Sequence, residues 1–246
     1  MPVMQSITAI MTRQKKPLDA NEQTERFAYF GRDYPLNEFR ACWKMAGEPL
    51  VQRLADKTHR WEGNGLDLLI PNGLSQGLLG YPYTCPDMIG GGEFSSFLAQ
   101  ENLDAELFVR YAQCSALFPM MQFSAAPWRV LDEAHLEYCL QAARLHEQFG
   151  EEILALARHA AKTGEPILRH MAYVFPDDGL EQVNDQFMLG DNVLVAPVIK
   201  QGMTKKKIRF PEGRWQGDDG SIVIGPSTHE VNAPLARLPW YRRFVN

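Results

Sequence analysis

The pattern of apolar and polar positions divides the chain into stretches of different character. From about residue 17 to 170, short apolar runs alternate with longer segments of helical period. Pro49 to Ala55 is one such run, interrupted by Gln52 and Arg53; Gly80 to Asp87 is a second, rich in proline; Glu165 to His170 is a third. Phe39 to Trp43 reads as a further short strand ending near Arg40, and Leu18 closes a short apolar element before Asp19. Between these runs, Leu66, Leu69, Ile70, Gly73, Leu74 and Gly77 recur at intervals of three and four, the mark of a buried helical face, with Pro71 as a candidate break. Asp104 to Phe118 carries the same period, as does Asp132 to Thr163, where Gly150 is a dividing point and Gly164 a stop signal. Residues 22–38 are polar and aromatic, with a turn at Tyr34-Pro35. Strand-like and helical runs in alternation predict βα units around a parallel sheet or barrel.

From Asn184 the character changes. Val193 to Ile199, Lys207 to Phe210, Ser221 to Ile224 and His229 to Val231 are short strand-like runs between Gly, Pro and Asp turns, which predicts an all-β module with its boundary near residue 190. The expected organisation is therefore an unassigned segment at 1–16, an α/β unit at 17–189 and an all-β unit at 190–246.

Composition narrows the function classes. A chain of 246 residues, 45% hydrophobic, buries one large core or two smaller ones. A net charge of −5 argues against nucleic acid as a partner, and Lys205-Lys206-Lys207 reads as a solvated strand edge. No apolar run reaches the ~18 residues of a membrane span, and in the opening segment Arg13, Lys15 and Lys16 follow the weak apolar patch, where a signal peptide places its basic residues before it. Cys42, Cys85, Cys114 and Cys139 form no CxxC pair, which points to reduced thiols and a cytoplasmic setting rather than to zinc or disulfides.

Asp56 follows an apolar strand and precedes Lys57, His59 and Trp61. An acid just past a buried strand is where barrel enzymes keep catalytic groups; the alternative is an exposed turn. Gly90-Gly91-Gly92 permits close backbone approach at a ligand-facing loop, or else forms a plain turn. His59, His135, His146 and His159 show no ligand spacing and read as surface or helix residues.

Five strings then carry a family resemblance. They are Arg53 to Trp61 (RLADKTHRW), Leu78 to Gly91 (LLGYPYTCPDMIGG), Phe187 to Val198 (FMLGDNVLVAPV), Gly164 to His170 (GEPILRH) and Ala233 to Pro239 (APLARLP). Taken in chain order, over about residues 36–243, they resemble glycoside hydrolase family 31, in its α-glucosidase, α-galactosidase and sulfoquinovosidase-like branch. The resemblance implies the second half of a (β/α)8 TIM barrel followed by the start of a β-sandwich-like domain. It also implies a fragment of a longer protein, because family members carry an N-terminal β-domain and earlier barrel strands. The implied activity is that of a retaining α-glycosidase acting on an oligosaccharide or glycoside, with no metal and no organic cofactor. The alternative is a barrel remnant that binds carbohydrate or a partner without hydrolysis.

Retaining hydrolysis uses two carboxyl groups about 5–5.5 Å apart. By resemblance, Asp56 is the acid/base, with Ala55 where the branch has glycine. Asp19 is the candidate nucleophile, in Leu18-Asp19-Ala20-Asn21-Glu22, where Asn21 replaces an expected glycine and the gap to Asp56 is short; a helix N-cap is the competing role. Arg40, Asp87 and His170 match sugar-contacting positions, and Trp61 supplies an apolar wall. Trp43 and Trp128 are further candidates for stacking on a sugar.

Overall fold

The computed structural model describes residues 17–93, 95–96 and 103–244, so the expectations for residues 1–16 lie outside the described residues. Three short parallel strands, β1 (Glu38–Phe39), β2 (Val51–Arg53) and β3 (Thr84–Cys85), form a sheet in the order β1-β2-β3. Glu38 sits opposite Val51, and Arg53 opposite Cys85. An isolated parallel bridge between Ile89 and Phe123 continues the same sense of pairing.

Helix α1 (Ala20–Gly31) precedes this sheet, and nothing in the 22–38 pattern predicted it. Its start explains Asp19. The Asp19 side chain accepts from the Glu22 backbone, and the Glu22 side chain reaches back to the Asp19 N–H, a complete capping box. Asp19 is therefore at a helix N-terminus rather than at a strand tip. A short 3-10 turn (Leu66–Leu68) runs into α2 (Leu69–Leu78), which crosses from β2 to β3. Pro71 does not break it, because it falls in the first turn, where a helix leaves its backbone N–H groups unpaired anyway.

Helices α3 (Ala105–Ser115), α4 (Pro127–Val130), α5 (Glu133–Gln148) and α6 (Gly150–Thr163) follow. Asp104 and Asp132 cap α3 and α5, the division between α5 and α6 falls at Phe149–Gly150, and Gly164 ends α6 in the left-handed region.

The second sheet is antiparallel along its length, in the order β4-β5-β6-β9-β7-β8. Its strands are β4 (Leu168–Arg169), β5 (Phe187–Leu189), β6 (Val193–Val195), β7 (Lys205–Gly217), β8 (Ile222–Asn232) and β9 (Trp240–Phe244); the single-turn helix α7 (Met171–Val174) follows β4. Here two readings are corrected. The run Glu165–His170 is not a strand of the parallel sheet: Leu168 and Arg169 pair antiparallel with Leu189 and Met188, and the Gly190 N–H donates to the Ile167 carbonyl. The all-β unit thus draws on residues from 168, ahead of the expected boundary near 190. The separate short runs at 207–210, 221–224 and 229–231 merge into one long β7–β8 hairpin, whose register shifts between Phe210 and Gly213.

Strands β5 and β6 are buried at every position because both faces are covered. Phe187, Leu189, Val193 and Val195 face the helices in the larger core; Met188 and Leu194 face Ile208, Phe210, Trp215 and Tyr241 in a second core. Buried Arg110 on α3 ties the helices to the loops of this sheet. Its guanidinium donates to the carbonyls of Met203 at 2.9 Å and Ala233 at 2.8 Å, and more distantly to those of Pro234 and Arg237. The four cysteines are free and buried. Among the described residues no helix is long and apolar enough to cross a membrane.

Candidate active site

Because β1, β2 and β3 are parallel, the residues just beyond their C-terminal ends share one side of the sheet. Arg40 follows β1, Asp56 lies three residues after β2, and Asp87 two residues after β3. The structure brings these three sequence-predicted residues into one charged cluster. Arg40 Nη2 lies 2.5 Å from Asp56 Oδ2. Arg53, at the last position of β2, places Nη1 3.2 Å from Asp87 Oδ1 and 3.8 Å from Asp56 Oδ1, with Nε 3.8 Å from Glu38.

The two acids differ in setting. Asp87 is fully buried, and its backbone adopts φ 79°, which turns its carboxylate back beneath the β2 loop. There it accepts the N–H of Lys57 at 2.7 Å and that of Gly92 at 2.9 Å, besides the Arg53 contact. Burial pushes the Asp87 carboxyl above its ordinary value, against the opposing pull of these N–H groups and of Arg53. Asp56 keeps a partly exposed side chain; its Oδ2 pairs with the exposed Arg40, and its buried Oδ1 has no hydrogen-bond partner. Asn64 holds the Asp56 carbonyl at 3.0 Å.

The glycine run serves close approach rather than a plain turn. A Cβ at Gly91, which has φ 100°, would meet the Lys57 carbonyl at 2.7 Å. One at Gly92 would lie 2.6 Å from Asp87 Oδ1 and 2.8 Å from Asp56 Oδ1. Only glycine lets this strand of backbone lie against both acids.

The pattern missed three members of the cluster. Arg53 was readable as a charge inside an apolar strand. Lys57 is fully buried, its ammonium donating to the Ala55 carbonyl at 2.9 Å, and burial lowers its pKa against the pull of Asp87, Asp56 and Asp67. His59 was read as a surface or helix residue; it is buried, with Nδ1 2.8 Å from the Gly90 carbonyl. Its position in an irregular loop leaves no periodic signal.

Three other candidates stand apart. Asp19 is exposed, and its carboxylate is engaged in its own capping box; no hydrogen bond or ion pair among the described residues joins it to Arg40, Asp56 or Asp87. His170 caps α7, accepting the Ala172 N–H at 3.1 Å on Nδ1, and likewise has no bond to the cluster. Trp61 packs against the large core and donates its indole N–H to Asp104 at 2.8 Å, so its ring orients the loop after Asp56 toward α3. Trp43 and Trp128 are exposed. Among the described residues no group of three or more His, Cys, Asp or Glu has the arrangement of a metal centre.

Comparison with known proteins bears on this geometry. Residues 164–244 match the family described as "Glycosyl hydrolase family 31 C-terminal domain". The chain is 33% identical over 199 residues to the myogenesis-regulating glycosidase of Mus musculus, a match covering 77% of this chain and 27% of that protein. It is 29% identical over 208 residues to alpha-glucosidase 2 of Bacillus thermoamyloliquefaciens, covering 79% of this chain and 25% of that one. The chain thus spans about a quarter of the length of these relatives. Its fold superposes on the cycloalternan-degrading enzyme of Trueperella pyogenes, in complex with a covalent intermediate, with a TM-score of 0.80 at 22% identity, over 92% of this chain and 33% of that one.

Proposed function

Since the chain belongs to glycoside hydrolase family 31, we propose that it carries the acid/base side of a retaining α-glycosidase site, acting on an oligosaccharide or glycoside. In this reading β1, β2 and β3 are later strands of a (β/α)8 barrel, whose catalytic groups collect at the C-terminal strand ends. The observation that carries it is the Arg40–Asp56 pair standing over the buried Arg53–Asp87 pair at those ends.

Asp56 is the group with the right access: its carboxylate reaches solvent, while Asp87 is closed off by Lys57, Gly92 and Arg53. In its acid form Asp56 donates a proton to the leaving glycosidic oxygen; in its base form it takes one from the water that releases the sugar. Arg40, exposed and next to it, offers guanidinium N–H groups to sugar hydroxyls. Asp87 holds Arg53 and the turn through Lys57, and so fixes where Asp56 points. His170 and Trp61 act further out, through the turn each one orients.

A second reading, sugar binding without hydrolysis, draws support from Asp19. Its carboxylate is engaged as a helix cap, which leaves the attacking carboxylate of a retaining site without a demonstrated place among the described residues. The test is turnover of an alkyl α-glycoside, whose leaving group is poor, by the purified chain, beside Asp56→Asn. Loss of a positioned general acid is expected to slow substrates with poor leaving groups by about 10²–10⁴-fold. Sugar binding with no turnover in the unaltered chain supports the second reading. Equal turnover by the chain and by Asp56→Asn removes Asp56 from the mechanism.

A further inference from the structure

Away from the Asp56 cluster, a groove of about 280 Å³ lies between helix α5 and the loop leading into β9. It is near the lower end of the ~300–1,000 Å³ range of small-molecule pockets. One wall is a row on α5: Tyr138, Gln141, Leu145 and Gln148, spaced three, four and three residues apart and hence on one helical face. The opposite wall is Leu238 with the Arg237–Asp218 pair.

The groove is lined with charges, but each is already balanced. Arg237 makes a two-pronged contact with Asp218, Nε and Nη2 each 2.7 Å from a carboxylate oxygen, and lies 3.0 Å from Asp219. Arg144 at the rim is paired with Glu137 at 3.0 Å. An anion therefore finds both arginines already paired, and a cation finds Asp218 already held by Arg237. What remains available is neutral. Among the described residues the Gln148 amide and the Tyr138 hydroxyl have no hydrogen-bond partner, and Gln141 has only a 3.4 Å contact with Glu137. Gln113, at the base, is used up: its oxygen accepts from Arg110 and its nitrogen donates to the Leu235 carbonyl at 2.6 Å.

A carboxamide both donates and accepts, as does a sugar hydroxyl. The Gln141 and Gln148 amides, about 10 Å apart along one helical face, suit hydroxyls on opposite sides of a ring, while Leu145 between them and Leu238 suit its C–H face. We propose that this groove binds one neutral pyranose unit, at a place separate from the Asp56 cluster. It goes beyond the hydrolytic reading and holds whether or not Asp56 is catalytic.

The test is titration of the full chain with methyl α-glucoside, methyl α-galactoside and methyl α-xyloside, following side-chain amide signals by ¹H–¹⁵N NMR. The Gln141 and Gln148 amides are expected to shift saturably with at least one of the three, while the Gln113 amide stays put. Replacing both Gln141 and Gln148 by Ala, at exposed positions, is expected to weaken binding by about tenfold or more, on the scale of one net hydrogen bond each. Arg40→Ala is expected to leave the shifts in place. No saturable shift with any of the three sugars overturns the proposal, as does tighter binding of glucuronate or glucosamine. Shifts abolished by Arg40→Ala also overturn it, because they place the sugar at the Asp56 cluster.

Discussion

In the parallel sheet the strands are two or three residues long, and the chemistry lies just beyond their ends; in the antiparallel sheet β7 and β8 run for 13 and 11 residues, and β7 and β9 turn Phe210, Trp215 and Tyr241 into the second core. The first packs Phe39, Leu50 and Leu54 beneath it, but its strand ends are held by charges and backbone N–H groups aimed at carboxylates. The second is held by alternation, with Lys205, Lys207 and Arg209 pointing out and Lys206, Ile208 and Phe210 pointing in. Strand-tip residues are thereby free to be polar, because packing elsewhere supplies the stability. Substitutions in the two regions should separate folding from chemistry.

The largest effect on folding is expected at Trp215, which is fully buried among Phe175, Phe210 and Tyr241. Trp215→Ala should cost about 3–5 kcal/mol, read as a lower urea midpoint. A cost below ~1 kcal/mol would mean that the second core is not packed as described. Asp87→Ala comes next. It strands the buried N–H groups of Lys57 and Gly92 and leaves Arg53 without its nearer acid, at a cost of about 3 kcal/mol. If the comparison holds, Asp56→Asn, for all its expected effect on turnover, should change stability by no more than ~1 kcal/mol, since its partner Arg40 is exposed.

Asp87→Asn sharpens the point through pH. The Asp87 carboxyl is raised above 3.8 by burial, so the folded chain holds its proton more tightly than the unfolded chain does. The stability this contributes is full below the unfolded value and is lost as pH rises through the raised one. The amide has no such proton, so the variant should lack that fall when urea midpoints are compared from acid to neutral pH. Identical profiles would show that Asp87 does not titrate as its burial requires.

The smallest effect is expected at Asp19. As a helix cap, Asp19→Ala should lower stability by about 1 kcal/mol and leave turnover per folded molecule unchanged. Abolished turnover with an unchanged melting point would return Asp19 to the role of nucleophile.

These cases also show what was readable before the structure. Helices α2 and α3, the division at Gly150 and the stop at Gly164 followed from helical period and stop signals, which are local. Arg40 and Asp87 were named through the family resemblance and Asp56 also through its place after an apolar run; parallel pairing of β1, β2 and β3 brings the three together. Asp19-Ala20-Asn21-Glu22 left two roles open because a capping box and a strand-tip motif share the same acids at the same spacing, and the structure shows the cap. The pairing of Leu168 with Leu189 was invisible, since β4 is two residues long and its partner is set by long-range contact alone. Lys57 and His59 were missed for a related reason: irregular loops carry no period, and burial there depends on a glycine backbone folding over them.

Arg110 has a consequence for anyone dividing this chain. Its acceptors at Met203, Ala233, Pro234 and Arg237 all belong to the part matched as the family's C-terminal domain, whereas the arginine itself stands on α3, well before residue 164. Scissors placed at that border would leave one piece with a bare cation in a hollow and the other with a ring of orphan carbonyls. The border drawn by family matching is thus no seam in the material, and the two pieces are best handled as one body.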